Sequence, residues 1–282
     1  MFNLWTPSIY SRYLSQIRDS QSMTGSNRGF VASRVPGRAP STIPAFGRDS
    51  NGNDISWSAA YPLDAGFLLR YYGDLASVTE HWPALMLYMD SQLRVANAPT
   101  YANSTSRGLP DFYYWGDWCA VEPRVNATPG TGPQAAAANF LLALRAMVEI
   151  GKAVGDSTNT ARYKDTLAKL VPIFHTRFWN ISLGTWASDP MEIQTLTALS
   201  LAAGVGSASD RASAVAALDH DVRSRGYHLT VGSAGVKWLL LTLSQEGKHD
   251  TALKLAMQTS FPSWGWWIRQ GATCVLKLRL EW

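Results

Sequence analysis

Two carboxylates lie among aromatic residues in a segment where they could act as acid or base. Asp117 and Glu122 belong to the run Tyr-Tyr-Trp-Gly-Asp-Trp-Cys-Ala-Val-Glu at residues 113–122. Aromatic neighbours exclude water from a carboxyl group, and this desolvation raises its pKa towards general-acid range. Because glycoside hydrolysis uses two such groups across the scissile bond, the pair is a catalytic hypothesis. The alternative is that Asp117 caps a helix or holds its loop through backbone hydrogen bonds and that Glu122 is solvated.

Tryptophan is concentrated in the long connections between helical stretches. The chain has 12 tryptophans, and indole rings gathered at one end of a helical scaffold would form a cleft with flat apolar faces. Such faces suit the C–H faces of sugar rings, although each indole could instead pin its loop to the scaffold. The tryptophans in or beside Gly/Pro-broken segments are Trp57, Trp115, Trp118, Trp179, Trp186, Trp264, Trp266 and Trp267.

Other chemistries find little support in the sequence. His228, in a short connection at residues 226–230, can bond a ligand hydroxyl or simply the backbone. The chain has no His/Cys/carboxylate cluster with zinc spacing, no Gly-rich phosphate loop and no Gly-x-Ser-x-Gly elbow. We therefore expect neither a metal nor a cofactor.

Apolar residues recur at helical spacing along the chain, without the sustained alternation of strands. Tight Gly-containing turns alternate with long connections, which predicts antiparallel helical hairpins. We predict an all-α fold, an (α/α)6 toroid with its site at the long-loop end. The pattern gives about ten of the twelve helices of a six-hairpin ring, so the ring is predicted to be incomplete. The tight turns are predicted at residues 73–74, 155–156, 204–209 and 247–250.

Composition limits the class of protein. Of 282 residues, 46% are hydrophobic and 16% charged, which is typical of a globular protein. The net charge of +4 comes without a Lys/Arg run, so we expect no nucleic-acid partner. We also expect no membrane partner, and no signal peptide is visible. We predict a single domain over residues 1–282, with an extended loop at 21–53 and a divergent end at 275–282.

Seven motifs recur in an order that resembles a known family. They are Trp57-Ser-Ala-Ala-Tyr-Pro62, Arg70-Tyr-Tyr-Gly-Asp74, Gly116-Asp-Trp118, Gln194-Thr-Leu-Thr-Ala198, His228-Leu-Thr-Val-Gly-Ser-Ala-Gly235, Pro262-Ser-Trp-Gly-Trp266 and Gly271-Ala-Thr273. From about Tyr10 to Thr273 the chain resembles the six-hairpin catalytic domain of bacterial-type α-L-rhamnosidases, glycoside hydrolase family 78. The resemblance implies an (α/α)6 barrel and an inverting hydrolase of terminal α-L-rhamnose, in which one carboxylic acid protonates the leaving oxygen and a carboxylate activates water.

The resemblance also implies a rhamnose-containing carbohydrate as the ligand and an aromatic pocket that binds it. With the loop tryptophans, it gives a set of expected substrate-binding residues. These are Trp57, Trp115, Trp118, His228, Trp264 and Trp266.

Two departures from the family pattern affect the expected activity. The family's proposed general acid lies in a Glu-Arg-x-Gly-Trp-x-Gly-Asp motif that this chain lacks, and Lys277 stands where the proposed base, a Glu, is expected. We therefore expect an incomplete gene product or gene model with little or no activity, in which Asp117 and Glu122 are the remaining catalytic candidates. The alternatives are a non-catalytic carbohydrate binder and a helical scaffold for protein partners. An unclosed ring would also be expected to self-associate.

Overall fold

The computed structural model describes residues 7–32, 35–37, 54–97, 108–110, 116–118, 120–121 and 132–272. Every regular element in these ranges is helical, apart from one isolated antiparallel bridge between Asn180 and Thr185. The all-α prediction is therefore confirmed. The helices are α1 (Pro7–Asp19), α2 (Ile55–Ser58), α3 (Ala60–Tyr72), α4 (Leu75–Ala96), α5 (Gly132–Ala153), α6 (Ser157–Phe178), α7 (Ala198–Ala202), α8 (Ala208–Ser224), α9 (Val236–Gln245), α10 (His249–Met257) and α11 (Trp264–Arg269).

Short turns join α3 to α4, α5 to α6, α7 to α8 and α9 to α10, as the sequence predicts. The first turn shows how a Gly-Asp pair produces this shape. Gly73 adopts a left-handed φ of 65°, and its N–H bonds the carbonyls of Leu68 and Leu69 at the end of α3. Asp74 then begins α4 by accepting a hydrogen bond from the Ser77 N–H at 2.9 Å. Glycine ends one helix and the carboxylate starts the next.

The chain divides into two compact units: unit 1 comprises Met1 with residues 115–138 and 174–282, and unit 2 comprises residues 2–114 and 139–173. The single domain over residues 1–282 stays a prediction. In unit 2, α1 packs on α3 and α4. The core there includes two tyrosines whose hydroxyl groups are hydrogen-bonded. The Tyr61 hydroxyl lies 3.0 Å from His81 Nδ1, and the Tyr88 hydroxyl lies 2.8 Å from Ser58 Oγ.

Unit 1 is built around a helix that changes its winding. A 3-10 turn at Pro190–Glu192 leads into a π-helical turn at Ile193–Thr197, which continues directly as α7. Helix α9 packs on α7, and α8 packs on the π-helical turn. Leu196 and Leu199 are buried from one side of this contact, and Leu239 and Leu243 from the other. Apolar packing therefore fixes the π-helical turn in the core of unit 1.

The predicted extended loop at residues 21–53 is described in part. Its first residues fold back as a compact turn, in which the Ser22 N–H donates to the Phe30 carbonyl at 2.9 Å and the Gly29 N–H to the Ser22 carbonyl at 2.7 Å. Gln21 Nε2 ties this turn to the Ala84 carbonyl of α4 at 3.0 Å. In the described part of the chain, no helix combines the length and apolar character that crossing a bilayer requires.

Candidate functional site

Asp117 is a buried carboxylate whose oxygens are occupied by protein donors. It is 8% exposed. Its Oδ2 accepts hydrogen bonds from Thr195 Oγ1 and, at 2.6 Å, from the Gly232 N–H. Its Oδ1 accepts from the N–H groups of Ala234 at 2.8 Å and Gly235 at 3.1 Å. An ionised carboxylate is an acceptor only, so this arrangement suits a fixed anion better than a proton donor.

The turn at residues 232–235 wraps around the 117–118 segment. Three of its N–H groups donate to Asp117. The fourth, the N–H of Ser233, donates to the Trp118 carbonyl at 2.9 Å. Successive N–H groups converging on an anion form a nest. Because α9 begins at Val236 and its N-cap Gly235 provides no side-chain cap, the Asp117 carboxylate also lies at the positive end of that helix dipole.

Two glycines allow the segments to approach this closely. A Cβ atom on Gly232 would lie 2.5 Å from the Trp118 carbonyl oxygen and 2.7 Å from the Ala120 nitrogen. A Cβ on Gly235 would lie 2.5 Å from Thr195 Oγ1. The two glycines of the motif at 228–235 are therefore explained by packing against Asp117, Trp118 and Ala120 and against the π-helical turn.

Gln194 holds the preceding part of the same loop. Its side chain is fully buried, and its Oε1 accepts from the Thr230 N–H at 2.9 Å. Its Nε2 donates to the His228 carbonyl at 3.0 Å and to Asp221 Oδ2 at 3.1 Å. Asp221 in turn accepts from Arg225 Nε at 2.9 Å. The amide therefore has a partner for each polar atom.

His228 joins two loops of unit 1. Its Nδ1 lies 2.7 Å from the Arg225 carbonyl oxygen, which only accepts, so Nδ1 carries a proton. Its Nε2 lies 2.8 Å from Ser260 Oγ. The loop is further held by Gln258, whose Nε2 donates to the Gly226 carbonyl at 2.7 Å. A ligand hydroxyl at Nε2 would have to take the place of Ser260.

The loop tryptophans that the structure describes fall into two groups, apart from Trp179, which is half-buried and stacks on His175 with ring centroids 5.2 Å apart. Trp186 and Trp267 are buried and pin their loops, as the alternative reading of the sequence holds. Trp118 and the two tryptophans of α11, Trp264 and Trp266, are half-buried in two separate segments of unit 1, and Trp57, in unit 2, is 38% exposed. These four indoles keep surface that a ligand can contact.

Helix α11 sets the position of two of these rings. Ser263 caps it by accepting from the Trp266 N–H at 3.0 Å. The Trp266 ring stands edge-to-face on Phe261 with centroids 4.9 Å apart, and Trp264 stands edge-to-face on Trp267 at 6.4 Å. These contacts limit the freedom of both indoles before any ligand arrives.

Two predicted site residues, Trp115 and Glu122, lie outside the described residues. The structure adds Gln194 and Thr195 to the candidate site, although the sequence assigned them no role beyond belonging to a matching motif. The sequence feature that could have indicated them is the presence of two polar residues at the start of an apolar helix. It also buries Glu192, which accepts a hydrogen bond from Ser188 Oγ at 2.8 Å. Within the described ranges, no three His, Cys, Asp or Glu side chains are grouped to hold a metal ion.

Sequence comparison identifies a family over nearly the whole chain. Residues 1–278 match the model of the bacterial alpha-L-rhamnosidase 6 hairpin glycosidase domain. An alpha-L-rhamnosidase of Formosa agariphila is 24% identical over 291 residues, which cover 100% of this chain and 29% of that protein. One from Streptomyces avermitilis is 29% identical over 241 residues, 80% of this chain and 22% of that protein. The chain thus spans less than a third of the length of these relatives.

Solved structures agree on the fold. The alpha-L-rhamnosidase from Dictyoglumus thermophilum superposes with a TM-score of 0.76 at 25% identity, covering 95% of this chain and 28% of that one. The Streptomyces avermitilis enzyme complexed with L-rhamnose gives 0.69 at 21% identity, covering 95% and 24%. These likenesses confirm the predicted fold class, the helical toroid of six-hairpin glycosidases.

Proposed function

We propose a function from one premise: the chain belongs to the bacterial α-L-rhamnosidase six-hairpin glycosidase domain family, which makes it an α-L-rhamnosidase-like glycoside hydrolase domain. We propose that it recognises terminal α-L-rhamnose of glycans or glycosides. The observation that carries this proposal is the family match over residues 1–278. The relative from Streptomyces avermitilis, solved as a complex with L-rhamnose, supports the choice of sugar.

Partly exposed indoles are the proposed sugar contacts. Trp118, Trp264 and Trp266 present rings from two segments of unit 1, the 116–118 segment and helix α11. Trp57, in unit 2, stays a sugar contact proposed from the sequence. An indole face can cover the C–H groups of a monosaccharide while leaving its hydroxyls to polar groups. His228 is proposed to supply one such group by exchanging Ser260 for a sugar hydroxyl. Trp115 completes the set as a sequence-based proposal.

The proposed reaction is inverting hydrolysis by two carboxyl groups about 6.5–9.5 Å apart, one protonating the leaving oxygen and one activating water. Glu122 stays a catalytic candidate on sequence grounds. Asp117 is a weaker candidate for proton transfer, because four protein donors occupy its oxygens.

The occupied carboxylate of Asp117 favours one second candidate function, a carbohydrate-binding domain without turnover. The two functions separate in paired measurements on the same preparation. One is calorimetric titration with L-rhamnose, with L-fucose as the control sugar; the other is release of nitrophenol from a nitrophenyl α-L-rhamnoside. Binding with turnover supports the hydrolase, and binding without turnover supports the binder. Absence of both would refute rhamnose recognition by this chain.

A further inference from the structure

Two neighbouring side chains of one helical turn reach both loops of the candidate site. The Thr195 hydroxyl donates a hydrogen bond to Asp117, which holds the 116–118 segment against the 232–235 turn. Gln194 bonds the His228 carbonyl and the Thr230 N–H of the same longer loop. Both side chains are buried, so these bonds are made in a region of low dielectric, where an unpaired polar group is costly.

The turn that carries them is wound differently from the helix it begins. Residues Ile193–Thr197 are π-helical and continue without a break into α7. Such single-turn widenings inside α-helices are rare and are frequent at functional sites. The turn is also bonded to another part of the core, since Thr197 Oγ1 lies 2.7 Å from Thr185 Oγ1. The turn therefore has contacts in the core, with Thr185, α8 and α9, besides its bonds to the two loops.

We propose that this π-helical turn positions the sugar-contacting loops, with Thr195 and Gln194 as positioning residues and Asp117 as the fixed anion between them. Thr195 and Asp117 together set the Trp118 segment, and Gln194 sets the His228 segment. The loop at residues 228–235 is held by both contacts: Asp117, bonded to Thr195, holds residues 232–235, and Gln194 holds residues 228 and 230. Loss of either contact therefore lowers the order of this loop. The sugar part of this inference rests on the proposed function; the structural part does not.

The test uses a matched pair of substitutions on the π-helical turn. Thr195→Val removes the hydroxyl that bonds Asp117, whereas Thr197→Val removes an equally buried hydroxyl that bonds only within the core. Hydrogen exchange is measured on peptides covering residues 116–121 and 228–235. Thr195→Val is expected to speed exchange in both peptides roughly tenfold or more, the equivalent of a lost bond to a charged group.

Two further variants complete the test of positioning. Thr197→Val is expected to leave both peptides unchanged, and Thr195→Ser, which keeps the hydroxyl, is expected to restore their protection. Gln194→Met, of similar length, is expected to speed exchange in residues 228–235 more than in 116–121. Equal effects of the two valine variants, or no effect of Thr195→Val, would overturn the proposal. If Thr195→Val fails to fold, the Thr195→Ser and Gln194→Met results decide in the same way.

Titration of the same variants with L-rhamnose separates this proposal from the proposed function. Weaker binding by Thr195→Val and unaltered binding by Thr197→Val support both. If exchange follows the expected pattern but the unmodified chain does not bind L-rhamnose, the proposed function fails and the positioning role stands. If the unmodified chain binds and the exchange pattern is absent, the positioning role fails alone.

Discussion

At the scale of single residues, Asp117 illustrates how a carboxylate among aromatic residues can serve architecture. The sequence allows two roles for this carboxylate: acid–base chemistry, or holding a loop through backbone hydrogen bonds. In the structure, its oxygens accept three backbone N–H groups and one hydroxyl. The second role follows from contacts with residues 78 to 118 positions further along the chain, and no local pattern could have revealed them.

Replacement of Asp117 by Asn should therefore lower stability even though size and polarity are kept. The amide turns one acceptor into a donor facing backbone N–H groups and removes the charge at the start of α9. We expect a loss of about 1–3 kcal/mol in the free energy of unfolding. Urea denaturation checks this, with Asp165→Asn on the solvent-exposed face of α6 as the control. Equal stabilities for the two variants would contradict the role given to Asp117.

The loop tryptophans could be selected from the sequence, but their division into exposed and buried rings could not. Trp264 and Trp267 stand three residues apart on one short helix, and only Trp267 is buried. We predict that Trp264→Phe, which keeps an aromatic ring but shrinks its face, weakens L-rhamnose binding about tenfold, or roughly 1.4 kcal/mol. Calorimetry measures the loss. Unchanged affinity would remove Trp264 from the proposed contacts.

At the scale of elements, the hairpins were predictable because each tight turn carries glycine between two apolar helical stripes. The π-helical turn was not predictable, since it packs on α8 and α9, which lie further along the chain. The motif at residues 228–235 was recognised as a pattern, yet its glycines gain a reason only from the backbone atoms that face them. Long-range contact is the missing information in both cases.

Gly232 gives a direct test of that reason. Gly232→Ala places a methyl group 2.5 Å from the Trp118 carbonyl oxygen, so we expect a loss of about 1–3 kcal/mol from overpacking. Gly66→Ala is the control. Gly66 lies inside helix α3, and a Cβ atom added there would have one neighbour within 4 Å, the Cβ of Ala146 at 3.5 Å. That variant should gain about 0.5–1 kcal/mol. Thermal unfolding of both proteins decides, and a tolerated Gly232→Ala would refute the close approach.

Helix α4 contributes a pH dependence through His81. The side chain is 1% exposed, and burial, with Arg18 nearby, lowers its pKa below the ordinary value despite Glu80 and Asp19. The unfolded chain then binds a proton at higher pH than the folded chain does. Stability should therefore fall as the pH drops through the unfolded pKa of about 6.5, and the loss should stop growing below the folded pKa.

Unfolding of the unmodified chain and of His81→Asn between pH 8 and about pH 5 isolates this contribution. The variant keeps a polar group for the Tyr61 hydroxyl, which lies 3.0 Å from His81 Nδ1, but it does not titrate. We expect a smaller loss of stability in the variant over this range. A parallel decline of both proteins would assign the dependence to other groups.

At the scale of the whole molecule, family membership supports the rhamnosidase-like assignment, and the likeness to solved enzymes supports the fold. Both the family and the fold could be predicted from the sequence because seven short motifs keep their order over most of the chain. The catalytic residues could not be assigned in the same way. Glu122 and Lys277 lie outside the described residues, and the oxygens of Asp117 are occupied by protein hydrogen-bond donors. Self-association of the chain stays a prediction.

The most direct test of the account asks whether indole rings touch the sugar. Saturation-transfer difference NMR on the chain with L-rhamnose, irradiating aromatic protons, reports ring contacts without requiring turnover. We predict saturation of the rhamnose C–H signals, little saturation of L-fucose, and a clear reduction in Trp118→Ala. Absence of transfer to L-rhamnose, or equal transfer to both sugars, would contradict the proposal that the loop tryptophans form a rhamnose site.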